Sequence, residues 1–489
     1  MTGLAALIGN RTSPPLAVRV SAIEEGGKTI AKIEVPKSSR LVATTDGTLR
    51  RRRLKPDGTP ECVPFLPYEF DSRRSDLGLI DYSALPVAGA VEGDLDPLER
   101  ERLRQTVERL GADKALLGFS DIELDQALGF MRREGSELIP TVAGLLLIGR
   151  EAALRKFMPT HEVAVQVLEG EEVRVNEFYR TPLLKTFERV EEQISSRVTE
   201  QEIQVGLFRV PVPTVERSAF REALINALTH RDYTKLGALH VRWQSDHLTV
   251  SNPGGFVEGV TIENILVVEP KPRNPLLADA FKRIGLAERT GRGVDLIFRG
   301  LLRFGRPSPD YSGTDATTVV VRMSSGDADL PFLRMILEYE RRLKHPLPIE
   351  SLIIMALLRM ERRIDVGEAA TAIQKDPADA REAIERLVEA GLVAAHGVKK
   401  GRTYTLSAKA YQRLGKKADY VRLAGFDPLQ REELVLRYVN EHGQIRRQDV
   451  AELCMLSSNQ AKRLLERLVR SGRLKRTGQR RGVIYGCAQ

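Results

Sequence analysis

Between residues 216 and 297 the chain carries three short segments whose spacing limits what it can fold into: Glu222-Ala-Leu-Ile-Asn226-Ala-Leu-Thr-His230-Arg-Asp-Tyr233, Ser251-Asn-Pro-Gly-Gly255 and Glu288-Arg-Thr-Gly-Arg-Gly293. Glu222 and Asn226 are one helical turn apart and share a face. A carboxylate there can orient or deprotonate a water, and an amide oxygen one turn on can ligate Mg²⁺. Gly254, Gly255, Gly291 and Gly293 lie in loops where backbone N–H groups can approach phosphates. The stretch from Thr290 through Arg292 to Gly293 opens a helix whose N-terminus can hold an anion. No GxxxxGK[ST] or GxGxxG occurs, so P-loop and Rossmann sites are excluded. His230-Arg-Asp232 matches the start of a kinase catalytic loop, but Tyr233 follows and no Asn stands at the required offset. Spacing alone makes a Glu–Asn pair most often a solvated helix face; the two glycine segments are what point to a site.

With 489 residues and 42% hydrophobic content, the chain is long enough for about three or four domains and apolar enough to bury their cores. Its three cysteines (Cys62, Cys454, Cys487) form no CxxC pair and its seven histidines show no ligand spacing, which argues against a disulfide framework and structural zinc. Such usage fits a reducing, cytoplasmic setting. The opening Met1–Arg11 stretch lacks signal-peptide features, and the longest apolar run, Ala143–Ile148, is too short to span a bilayer and reads as a core segment. Charge is uneven. Residues 457–489 hold nine Lys/Arg against one acid, Glu466, in a chain of net charge +9. A basic end on a near-neutral body is the footprint of a polyanion binder.

Residues 16–23 and 29–35 alternate like strands around a turn, and Arg50–Arg53 reads equally as an edge-protecting or a phosphate-contacting strand. Residues 71–92 read as a linker. Asp96-Pro97 and the Ser120–Glu123 capping box open helices. A strand at 163–168 and a helix at 182–203 lead to the Glu222–Tyr233 helix. A hairpin (239–243, 247–251), helices at 275–284 and 294–304 and a strand at 317–323 follow. That order predicts helices on one face of a mixed sheet.

The last third holds two similar units. Helices at 349–359, 366–373 and 377–390 precede a hairpin through Lys399–Arg402; helices at 430–441, 447–454 and 458–471 precede one through Arg476–Arg481. This is winged helix-turn-helix anatomy. In the second unit Leu464, Leu465 and Leu468 form an inward stripe. Ser458, Asn459, Gln460, Lys462 and Arg463 lie near the start of the third helix, where a recognition helix meets base edges. Asn459 or Gln460 suits adenine and Arg463 guanine, while Lys475, Arg476, Arg480 and Arg481 on the hairpin suit phosphates. The first unit's third helix carries Asp379, Glu382, Glu385 and Glu389 against Arg381 and Arg386. Phosphate would repel it, so that unit reads as a packing or dimerising one.

Residues about 215–325 resemble the GHKL-type (Bergerat-fold) ATPase-like domain of bacterial and archaeal transcriptional regulators once labelled RecG C-terminal-like. The matching segments are Glu216–Tyr233, Ser251–Phe256, Arg273–Phe281 and Glu288–Ile297, with Thr141–Gly149 upstream. Such proteins usually begin with a Schlafen AlbA-like domain and end in winged helices; residues 16–70, including Val35–Ser39, resemble the second half of the former. Without the first half's carboxylates, Schlafen-type nuclease activity is not expected. The resemblance implies an α/β multidomain chain. Its parts are an α+β partial Schlafen AlbA-like domain (1–85), a helical and strand connecting region (86–205), an α/β Bergerat-like sandwich (206–328), a first winged helix (329–415) and a second, basic winged helix (425–489). It implies a site for ATP and Mg²⁺, with Glu222 as general base and Asn226 as metal ligand. Gly254, Gly255, Gly291, Arg292 and Gly293 then belong to the phosphate and lid segments, and Asn252 stands at the adenine position. Family ATPases place an Asp before the first glycine loop; here Asn252-Pro253 keeps one acceptor and loses a backbone donor.

Three functions compete. The first is a cytoplasmic, homo-oligomeric transcription regulator that binds double-stranded DNA, with ATP or a related nucleotide as effector. The second is a Mg²⁺-dependent ATPase acting on nucleic acid, for instance in phage defence. The third is an assembly protein using its winged helices and sheet for oligomer contacts. No membrane role is expected, and without a Walker lysine or second motor domain there is no helicase. The basic end ranks the regulator first and the ATPase second.

Overall fold

A computed structural model of the protein describes residues 2–36, 38, 40–55, 59–67, 69–205, 208–287, 291–397, 402–414, 432, 435–436, 438–440, 443–453, 458–477 and 484–487. The chain divides into two compact units, residues 1–328 and 329–489.

The first unit is organised by one five-stranded sheet. Its strands are β1 (Val163–Glu169), β2 (Glu172–Tyr179), β3 (Leu239–Trp243), β4 (His247–Pro253) and β5 (Thr318–Ser324), in the order β2-β1-β3-β4-β5. Only the β1–β3 pairing is parallel. Burial alternates as a one-sided sheet requires: Leu248, Val250 and Asn252 of β4 are buried, Thr249 and Ser251 between them are half-exposed. The same unit holds the helices α1 (Leu183–Ser195), α2 (Arg217–His230), α3 (Pro275–Ile284) and α4 (Gly293–Leu302). α2 packs on β4 with α1 and α4 beside it. α4 approaches α2 so closely that a Cβ on Gly300 would lie 2.7 Å from the Ala219 Cβ. α2 begins earlier than its Glu222–Tyr233 motif suggests, because the Glu216 carboxylate caps it by accepting from Ala219 N at 2.7 Å.

Two strands of this sheet come from the stretch read as a connecting region, so the expected boundary at 206 separates strands that pair. Periodicity marks a strand without saying which neighbour it joins. The helix expected over 182–203 stops at Ser195, and a hairpin, Glu200–Val205 with Phe208–Pro213, follows. The apolar run at 143–148 lies in a helix, Val142–Ile148, buried at every residue. Asp96 accepts from Leu98 N at 3.0 Å, and the Ser120–Glu123 capping box closes as expected.

Residues 71–92 are not a plain linker. They hold most of a helix, Glu69–Asp76, and the turn Tyr82–Ala84, and they end where a second turn, Glu92–Asp94, begins. That helix buries Ser72 and Ser75 rather than an apolar stripe, so it shows no amphipathic signature. The residues before it form two hairpins, Arg19–Glu25 with Lys28–Glu34 and Arg50–Leu54 with Pro60–Pro64. Arg51 in the basic run bridges to Glu69 at 2.8 Å, linking the second hairpin to the helix.

The second unit contains a repeated topology. In the first copy, α5 (Ile349–Glu361), the short strand Arg363–Ile364, α6 (Val366–Ile373) and α7 (Pro377–Glu389) lead to β6 (Val393–His396) and β7 (Thr403–Leu406), with β7 central in a three-stranded sheet. In the second, the strand Gln444–Ile445, α8 (Arg447–Leu453) and α9 (Ser458–Arg470) lead to β8 (Leu474–Thr477) and β9 (Ile484–Cys487), with β9 central. The hairpin tips, 398–401 and 478–483, lie outside the described residues. Among the described residues no helix is long and apolar enough to cross a membrane.

Candidate functional site

A cavity of about 400 Å³ lies between α2, the loops that follow β4 and the start of α4. Glu222 and Asn226 from α2, Asn252 from the end of β4, Gly255 just after it, Gly291 and Arg292 before α4 and Gly293 at its start converge on it. The volume suits a small ligand. Val250, Val257, Ile265, Leu266, Val319 and Val321 give it an apolar wall. Of the residues expected at a nucleotide site, Gly254 does not line the cavity. It sits behind the wall with φ 98°, its missing Cβ 2.8 Å from the Asp232 Cβ. Residues 288–290, which open the third motif, lie outside the described residues.

Glu222 is 7% exposed and its carboxylate lies against Gly293, where a Cβ would meet Oε1 at 1.8 Å. Tyr311, also lining the cavity, has its pKa raised first by burial and then by the Glu222 charge. Asn226 is half-buried one turn along α2. Asn252 is buried and donates through Nδ2 to Pro253 O at 3.2 Å, which directs that nitrogen to the backbone. Among the described residues no group of three or more His, Cys, Asp or Glu is arranged to hold a metal ion. An Asn226 amide joined by ligand oxygens and water is the kind of oxygen set Mg²⁺ accepts without such a cluster.

Behind the cavity a buried polar network sets its shape. Arg273 donates Nε to His230 O at 3.0 Å and Nη2 to Gly255 O at 2.7 Å, and pairs through Nη1 with Asp76. Asn274 donates Nδ2 to Thr229 O at 2.7 Å and Arg231 O at 2.9 Å, holding the end of α2. Asp232 accepts from Ser72 Oγ at 2.5 Å and from Thr234 N at 3.0 Å. Burial alone would raise its pKa; these hydrogen bonds and the Arg273 and Lys235 charges outweigh it and hold the carboxyl below its ordinary value. His230 lines the cavity, and burial followed by the Arg273 charge lowers its pKa to about 4. The kinase-like triplet is thus a structural corner. Arg273 and Asn274 open one of the segments that carry the resemblance, but the sequence assigns them no role, because what defines it is a set of main-chain acceptors supplied by distant segments.

In the second unit, Leu464, Leu465 and Leu468 are buried in one core with Val435 and Tyr485. Lys462 and Arg463 on α9 and Lys475 and Arg476 on β8 are exposed. Lys462 is 3.8 Å from Glu466, and Arg467 and Arg473 both reach Glu432, at 3.4 and 3.1 Å. Ser458, Asn459 and Gln460 occupy the first turn of α9, but their side chains lie outside the described residues, as do Arg480 and Arg481. On α7 the acids Asp379, Glu382, Glu385 and Glu389 are exposed.

Three family models match parts of the chain. HATPase_c_4, described as an ATP-dependent DNA helicase recG C-terminal domain, matches residues 237–323, from β3 to β5. A domain of unknown function, DUF8451, matches 75–164. A DNA glycosylase AlkZ-like model matches 339–485, which includes both repeats of the second unit. Among solved structures, the DIP2311 protein from Corynebacterium diphtheriae is similar over 99% of this chain and 82% of that one, at 23% identity and a TM-score of 0.57. That likeness is one of fold. No curated protein matches the chain.

Proposed function

We propose that the protein is a DNA-binding regulator whose central cavity takes a nucleotide and whose C-terminal repeats are winged helix-turn-helix units. The observation that carries this reading is the exposed cationic set Lys462, Arg463, Lys475 and Arg476 on one repeat, against an exposed acidic α7 in the other. The names of two matched families, a DNA helicase and a DNA glycosylase, agree with a nucleic-acid partner. Double-stranded DNA suits the arrangement: the start of α9, with Ser458, Asn459, Gln460, Lys462 and Arg463, enters the major groove, while Lys475, Arg476, Arg480 and Arg481 sit on phosphates. The acidic first repeat serves contacts between copies in a cytoplasmic homo-oligomer, and residues 1–85 form a Schlafen AlbA-like part.

The test is duplex binding followed by fluorescence anisotropy at several salt concentrations. Wild-type affinity should fall with a log–log slope of about −0.9 per phosphate neutralised. Lys475→Glu/Arg476→Glu should weaken binding to all sequences and flatten that slope. A salt-independent affinity would favour the assembly role instead.

For the cavity we propose ATP with Mg²⁺. The apolar wall takes the base beside Asn252, the Gly291–Gly293 turn and the start of α4 take the phosphates, and Asn226 holds the metal. What supports this fit is that Asn226, Asn252, Gly291 and Arg292 line one cavity beside that apolar wall. A second reading, a Mg²⁺-dependent ATPase acting on nucleic acid, is favoured by the Glu222 carboxylate at the Gly293 end of the cavity. Calorimetric titration of ATP–Mg²⁺, with and without duplex, tests the ligand, and phosphate release tests the ATPase.

A further inference from the structure

Four glycines surround or back the cavity, and three are explained by the backbone. Gly254 and Gly291 have φ of 98° and 78°, conformations that side-chain-bearing residues rarely adopt. A Cβ on Gly255 would press on backbone, 2.6 Å from Asp315 O and 2.8 Å from Ala316 O. Gly293 is different. It is not among the positive-φ residues, and it opens α4, where alanine is the better helix former. The three atoms nearest its missing Cβ all belong to Glu222: Oε1 at 1.8 Å, Cδ at 2.7 Å and Cγ at 3.2 Å. These are the far end of a flexible side chain, so a methyl group would move the carboxylate rather than the backbone.

We propose that Gly293 is a positioning residue: its lack of a side chain lets the Glu222 carboxylate lie against the first residue of α4, at the end of the cavity assigned to phosphates. This rests on the ATPase reading above. In that reaction Glu222 takes a proton from water while the water oxygen bonds to the terminal phosphorus. The bond from that phosphorus to the bridging oxygen breaks, and ADP leaves with that oxygen and its electron pair. Gly293→Ala would push Oε1 from 1.8 Å to at least the 3.4 Å of ordinary contact, a displacement of about 1.6 Å. A misplacement of about 1 Å is enough to cost on the order of 100-fold in rate.

The test uses the full chain as wild type, Gly293→Ala, Glu222→Gln and the double variant. Phosphate release, calorimetric affinity for a non-hydrolysable ATP analogue and thermal melting are measured for each. Gly293→Ala should lose about 100-fold in kcat, with any loss of analogue affinity well below that factor, and melt like wild type. In the Glu222→Gln background it should cost nothing more, because the group it positions is already gone. Wild-type turnover in Gly293→Ala, or losses that multiply in the double variant, would overturn the proposal. A wild type that binds the analogue but releases no phosphate sinks this inference and leaves the nucleotide site standing; a wild type that binds no analogue sinks both. If Gly293→Ala melts early, Glu222→Asp is combined with it, since the shorter carboxylate clears the methyl. Recovered folding with turnover at least about tenfold above Glu222→Gln supports the proposal. A protein still unfolded overturns it, because the methyl then clashes with something other than the carboxylate.

Discussion

Arg273 is 2% exposed, and its guanidinium is shared between two main-chain carbonyls and the carboxylate of Asp76, with Asp232 at 3.8 Å. Arg273→Ala would leave two carbonyls and the half-buried Asp76 carboxylate without that donor and the buried Asp232 without its neighbouring cation, and a loss on the order of 3 kcal/mol is expected in urea unfolding. Arg273→Lys keeps the charge but not the planar fork, so it should recover only part of this. A second effect belongs to histidine. His161 is 1% exposed, and in its neutral form Nε2 donates to Thr181 O at 2.8 Å. Burial lowers its pKa to about 4, as burial and then Arg273 do for His230. Unfolded imidazoles take up a proton below about 6.5, whereas these resist until about 4. Their contribution is therefore fully present above pH 6.5 and lost as pH falls through that window, on the order of 3 kcal/mol for His161. Melting temperature measured from pH 7.5 to 4.5 should drop accordingly, and His161→Gln should flatten the drop.

The helix Glu69–Asp76 docks on the corner behind the cavity through polar contacts that include Ser72 Oγ to Asp232 at 2.5 Å, Ser75 Oγ to Arg273 O at 3.1 Å, Arg73 to Glu258 at 3.3 Å and the Asp76–Arg273 pair. Ser72→Ala removes one donor from a buried carboxylate that keeps others, so about 1–2 kcal/mol is expected. Hydrogen exchange in residues 69–76 should then speed up relative to α2, and unchanged protection would show the serine contact to be dispensable. This helix is also where sequence reading fails most clearly. An amphipathic stripe announces α9, whose Leu464, Leu465 and Leu468 are buried as expected. A polar helix that buries two serines announces nothing, since its partners Asp232 and Arg273 are some 160 and 200 residues away. The parallel pairing of β1 with β3 is hidden for the same reason.

At the scale of the whole molecule, the two units carry separate expectations. Removing residues 425–489 should abolish duplex affinity in anisotropy and leave calorimetric ATP affinity intact. Undiminished DNA binding would move the duplex contact elsewhere, with the Arg50–Arg53 strand the first place to look. The cavity motifs, the cationic end and the order of two helices and a hairpin repeated in the last third were legible because each is a local pattern: a one-turn spacing, a glycine-bearing turn, a stripe of leucines, a run of like charge; the helix expected over 430–441 lies largely outside the described residues. The membership of the central sheet, the docking of residues 69–76 and the reason for each glycine were not legible. Those depend on which distant atoms come within contact range, and Gly293 shows the difference. Read along the chain it is one more loop glycine near a phosphate; folded, it faces the carboxylate of Glu222. Local sequence encodes conformational preference and charge, whereas steric exclusion between remote side chains arises only once packing has brought them together.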